Sequence, residues 1–84
     1  MRYTVTWTPS ARSHLATLWM EAPDQEAFRR AADRIDPVLA NDPDSQGTPL
    51  GKYYVYVEDP LSVLYLVEPD DRRVTVVAVR RMTG

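Results

Sequence analysis

Apolar and polar positions alternate strictly at the start of the chain: Tyr3, Val5 and Trp7 are separated by Thr4 and Thr6 after Arg2, the period of a half-buried strand. The period then lengthens. Ala11, Leu15, Leu18, Trp19 and Ala22 recur at helical spacing as one stripe, with Thr8 placed to cap the helix and Pro9 at its first position, where a missing N–H costs nothing. Pro23 disfavours helical backbone at Ala22, and Asp24 can cap a second helix carrying Phe28, Ala31, Ala32, Ile35 and Leu39 on one face. Pro37 falls inside that pattern, so a kink near Asp36 or an early stop is expected.

Residues 41–51, NDPDSQGTPLG, hold two prolines and two glycines and read as a turn-rich loop, expected to be the most mobile segment. Everything beyond reads as strand. Lys52, Tyr54, Tyr56 and Glu58 face one way and Tyr53, Val55 and Val57 the other, with EDP as the turn. Residues 61–67 are apolar on both faces, as in a central strand. After a second turn in EPDDR, residues 74–80 form the last strand, with Val74, Val76 and Ala78 on one face and Thr75, Val77 and Val79 on the other. The expected fold class is α+β: an N-terminal strand, an antiparallel helix pair and a three-stranded antiparallel meander, giving a sheet of about four strands with both helices on one face.

At 84 residues the chain is expected to be a single domain, 1–84. There is no cysteine and His14 is the only histidine, which excludes disulfides, a thiolate nucleophile and a multi-histidine metal site; neither metal nor cofactor is expected. No apolar run approaches the roughly 18 residues of a membrane span or reads as a signal peptide, so a cytoplasmic protein without a membrane partner is expected. A net charge of −2 argues against general electrostatic capture of nucleic acid, leaving only a local patch.

That patch is sought at the end of the last strand, on Arg80 and Arg81. They lie on opposite faces of a regular strand, so at most one shares the face of Tyr54 and Tyr56. An arginine there could stabilise charge developing on a phosphate, while Tyr54 and Tyr56 could stack bases and Lys52 meet the backbone. Arg80, Arg81, Tyr54 and Tyr56 are therefore the candidate catalytic residues, with Lys52 and Arg73 as candidate substrate contacts. Proton transfer would fall to a tyrosine or lysine, whose ordinary pKa near 10 must be lowered for the purpose. Asp70, Asp71, Arg72 and Arg73 also read as a self-neutralising turn, and Arg29, Arg30 and Arg34, opposed by Asp33 and Asp36, as a solvated helix face.

The words YTVTWTPSARSHLATL, PLGKYYVYV and SVLYLVEPDDRRVTVVAVRRM, in this order, resemble the RelE/ParE superfamily of bacterial type II toxins over nearly the whole chain. The resemblance implies the toxin-like component of a toxin–antitoxin system, of the kind linked to plasmid stabilization, held inactive by a cognate antitoxin. It also implies one of two actions. RelE-like members are ribosome-dependent, metal-independent endoribonucleases that cut mRNA; ParE-like members inhibit DNA gyrase without enzymatic chemistry. A detoxified homologue that only binds its partner is the remaining alternative. Ser62 falls where the nucleases place an arginine, and Tyr53 to Tyr56 fall where they place two lysines. Only the terminal basic position is kept, by Arg80 or Arg81, and the sequence reaches Gly84 without the nucleases' C-terminal tyrosine.

Overall fold

The computed structural model describes residues 2–82. Strand β1 (Thr4–Trp7) leads into helix α1 (Pro9–Glu21), helix α2 (Gln25–Ala40) and a short helix α3 (Pro43–Gln46). Strands β2 (Thr48–Leu50), β3 (Tyr53–Glu58), β4 (Leu61–Glu68) and β5 (Arg73–Arg81) follow. The sheet has five strands in the order β1-β5-β4-β3-β2, one more than expected. All neighbours are antiparallel except β1, which pairs parallel with β5 from Thr4 opposite Arg73 to Trp7 opposite Val76.

The helices form where capping and periodicity place them. Thr8 Oγ1 accepts from Ala11 N at 3.1 Å and Asp24 Oδ1 from Ala27 N at 3.1 Å, each satisfying one orphan donor of a first turn. Phe28, Ala31, Ile35 and Leu39 of α2 are buried against Leu61, Val63 and Tyr65 of β4 and Val74, Val76 and Val79 of β5. From α1 only Ala11 is fully buried; Leu15, Leu18 and the following C-cap residue Ala22 pack at the margin, and Trp19 remains 40 % exposed. Pro37 does not stop α2. Its missing N–H removes one helical bond, but Ile35 and Leu39 are both fully buried and anchor that turn, while Asn41 Nδ2 donates to the Pro37 carbonyl at 2.9 Å.

The segment read as a turn-rich loop folds into α3 and β2 and is tied down at its start. Tyr3 N donates to the Ala40 carbonyl at 2.8 Å, Gln46 Nε2 to the Asn41 carbonyl at 3.1 Å, and the buried Tyr65 hydroxyl to the Pro43 carbonyl at 2.6 Å. The chain then pairs as β2 with β3 through a tight Leu50–Gly51–Lys52–Tyr53 turn, where Gly51 takes a φ of 62° that glycine adopts without strain. Its composition marks turns correctly but hides a three-residue edge strand. At Gly47 a Cβ would lie 2.4 Å from Tyr65 Oη and 2.8 Å from the Val55 carbonyl oxygen. Gly47→Ala is therefore expected to cost about 1–3 kcal/mol by overpacking against backbone, measurable as a lower urea midpoint at unchanged slope.

One irregularity decides which way the last strand faces. Leu64 pairs with Ala78 but Tyr65 pairs with Val76, so Val77 is an unpaired extra residue, a β-bulge. It places Val79 with Val74 and Val76 in the core and turns Ala78 to the other face, reversing the alternation expected beyond Val77. Arg80 therefore leaves the helix side and Arg81 takes it.

Candidate functional site

Helices α1 and α2 cover one face of the sheet; the other is open. Cross-strand register assembles the open face in rows: Val57, Ser62 and Arg80; then Val55, Leu64 and Ala78. Leu50 and Thr48 of β2 continue it beside Tyr53 and Val55. Leu50, Val55, Ser62, Leu64, Ala78 and Arg80 line a groove of about 310 Å³. Leu50 and Val57 are 59 % and 49 % exposed, unusual for aliphatic side chains on a folded sheet.

The candidate residues do not converge on this groove. Tyr54 and Tyr56 pair with Tyr65 and Val63, both fully buried, so they point to the helix side and pack on the core. Tyr54 stacks on Tyr65 with ring centroids 5.6 Å apart. Tyr56 donates to Glu58 at 2.5 Å, and Arg34 reaches the same carboxylate at 3.5 Å. The tyrosine row expected on a working face is thus a packing row: the apolar bodies of the rings were needed to close the core beneath α2.

Arg81 shares that helix side, beside Asp24, Asp59, Pro60 and Met82. Arg80, Arg73 and Lys52 remain on or beside the open face, but far apart. Arg73 pairs with Glu68 at the opposite end of β5, seven residues from Arg80, which is about 23 Å at roughly 3.3 Å per residue. Lys52 sits in the turn at that same far end, with Nζ 5.4 Å from the Tyr53 ring centroid. Three cations expected to act together are one in the groove and two remote from it.

Electrostatics make Tyr56 a poor proton acceptor. The Tyr56 pKa is pushed up to about 12, first by burial, then by its hydrogen bond to Glu58 and that carboxylate's charge. Tyr65 is likewise pushed up to about 12, chiefly by burial. A base must lose its proton near neutrality; these hold theirs more tightly than free tyrosine. Both groups bind a proton more strongly folded than unfolded, so their contribution to stability is complete below pH 10 and is lost as pH rises toward 12. Ultraviolet titration of tyrosinate is expected to show Tyr56 and Tyr65 ionising near pH 12, with unfolding free energy falling as pH rises from 10 toward 12.

Ser62 is the residue whose place the sequence reading undervalued. It stands directly opposite Arg80, is only 5 % exposed, and lines the groove. Its departure from the nuclease pattern was visible; its pairing with Arg80 was not, because the strand register across the bulge is a tertiary property. On the helix side, Arg12, Leu15, Ala16, Trp19, Met20 and Phe28 are among the residues bordering a second apolar groove, between α1 and α2. Among the described residues no three His, Asp or Glu side chains gather as a metal site, and no helix is long and apolar enough to cross a membrane.

No family profile and no curated protein matches the chain by sequence. Solved structures do match. The toxin–antitoxin complex RelBE2 from Mycobacterium tuberculosis aligns with all of this chain and 95 % of its own at a TM-score of 0.83 and 19 % identity. The chromosomal ParDE toxin–antitoxin system of P. aeruginosa aligns over 98 % of both chains at 0.72 and 13 % identity. The isolated RelE toxin of E. coli aligns over 98 % of this chain and 86 % of its own at 0.66 and 13 % identity.

Proposed function

We propose that this chain, whose fold is that of the RelE/ParE toxins, is the toxin-like component of a toxin–antitoxin pair and acts by binding its target through the open face of the sheet. The observation that carries this reading is the content of the groove: one arginine above aliphatic side chains, with Tyr54 and Tyr56 turned away on the helix side. Phosphodiester cleavage needs a base for the attacking hydroxyl and donors for the developing charge. Arg80 supplies part of the second requirement and nothing in the groove supplies the first. Apolar surface of this kind gains most from a protein partner. The reading is therefore a ParE-like inhibitor of DNA gyrase, with a cognate antitoxin as the controlling partner.

A second reading, a ribosome-dependent mRNA endonuclease, is supported by the exposed Arg80 at the strand end, the one basic position shared with the nucleases. Tight induction of the chain alone, followed by growth measurement, tests toxicity itself: arrest is expected. A supercoiling assay with purified gyrase then tests the target. Inhibition at micromolar protein is expected, and full supercoiling activity at that concentration removes gyrase from the account.

A further inference from the structure

The open-face groove is aliphatic except at one point. Val55, Leu64, Ala78 and Leu50 form its floor and walls, and at one end Ser62 and Arg80 face each other across β4 and β5. Among the described residues neither the Ser62 hydroxyl nor the Arg80 guanidinium has a side-chain hydrogen bond or ion pair; Arg29 and Arg34 are the arginines that pair with carboxylates. Ser62 is more than nine-tenths buried yet opens onto the groove. Its hydroxyl is not left unsatisfied in the interior; hydroxyl and guanidinium both face the groove, and beside its methyl groups they offer hydrogen-bond donors with no carboxylate among the lining residues.

We propose that the groove binds an aliphatic polypeptide segment of a partner protein that carries one Asp or Glu, with the carboxylate seated between Arg80 and Ser62. This deepens the binding reading above by naming the partner's chemistry. The planar guanidinium offers two parallel donors to one carboxylate, and the serine hydroxyl offers a third to a remaining lone pair. The flanking aliphatic side chains exclude water and strengthen each of these bonds. The spacing also fits a polypeptide. The Ser62 and Arg80 row is two residues along the strands from the Leu64 and Ala78 row, about 6.6 Å. That separation matches residues i and i+2 of an extended segment, so an acidic residue on Arg80 places an aliphatic neighbour on Leu64. A nucleic-acid strand fits less well. Its successive phosphates need successive cations, and here the other candidate cations on or beside this face, Arg73 and Lys52, lie at the opposite end of the sheet.

The probe is a random 12-residue phage-displayed peptide library selected on the full-length protein, followed by synthesis of the best binder and of the same peptide with its acidic residue replaced by the amide. Selected peptides are expected to share an Asp or Glu beside aliphatic residues. The amide version is expected to bind about tenfold or more weakly, Arg80→Gln to erase that difference, and Ser62→Ala to weaken the acidic peptide about threefold. Backbone amide shifts are expected at Val57, Ser62, Leu64, Ala78 and Arg80. Circular dichroism confirms that the variants are folded; Arg80 is exposed, so its replacement leaves the core intact. Failure to select any acidic peptide, equal binding by the Arg80→Gln protein, or displacement of the peptide from these amides by a tighter-binding single-stranded RNA 20-mer would overturn the proposal. A toxic chain that selects no acidic peptide overturns this inference and spares the functional reading; a harmless chain that still selects them does the reverse.

Discussion

Tyr65→Ala is expected to destabilise the protein by about 3–5 kcal/mol, the cost of removing a large buried aromatic side chain and leaving a cavity. Tyr65 is the largest fully buried side chain and joins three parts of the fold. Its ring stacks on Tyr54 of β3, its neighbours on β4 pack under α2, and its hydroxyl holds the Pro43 carbonyl at 2.6 Å, fixing the start of α3. A loss of this size consumes much of the roughly 5–15 kcal/mol available to a small domain. Tyr65→Phe keeps the ring and removes only the hydrogen bond, so about 1–3 kcal/mol is expected from the unsatisfied buried carbonyl. Urea unfolding of the two variants separates the contributions. Equal losses would mean that the hydroxyl, rather than the ring, carries the site.

Arg80→Ala is expected to weaken the target interaction about 30-fold or more, the scale of a desolvated interface hot spot, and so to relieve growth arrest on induction. Arg81→Ala and Tyr56→Phe are expected to leave arrest intact. The contrast follows from the bulge at Val77: it sends Arg80 to the open face and Arg81 to the helix side. A regular strand would have done the opposite. Relief by Arg81→Ala with no effect of Arg80→Ala, measured at matched soluble protein levels, would contradict the assignment of the open face.

Much of the fold was legible because local rules and burial agree. The caps at Thr8 and Asp24 and the stripe of Phe28, Ala31, Ile35 and Leu39 stand where their spacing puts them. What was not legible depended on contacts distant in sequence. The edge strand Thr48–Leu50 lies in a stretch whose prolines and glycines signal turns, and it exists because β3 offers it a partner. Pro49 suits an edge, since an outward-facing position has no ladder bond to lose. Alternation showed that Tyr54 and Tyr56 share a face; it could not show which face the helices cover, because Val55 and Val57 on the opposite side are just as apolar. The choice falls to the larger rings, which fill more of the space beneath α2.

The candidate site shows the same division. Arg80 and Arg81 were recognisable as alternatives from the strand period alone, and the bulge chose between them. Lys52 and Arg73 were within reach of Arg80 only while the register was unknown. Ser62 marked a departure from the nuclease pattern, and in the folded sheet that departure stands across from Arg80, replacing a second positive charge with a hydroxyl.

The central claim is that the open face binds and does not cut. Its most direct test is a ribosome-programmed cell-free translation reaction containing the purified protein, with the ends of the message mapped at nucleotide resolution. Intact message is the expected result. Cuts in register with codons that appear with the wild-type chain and vanish with Arg80→Ala would contradict it, and would make Arg80 part of a ribosome-dependent nuclease.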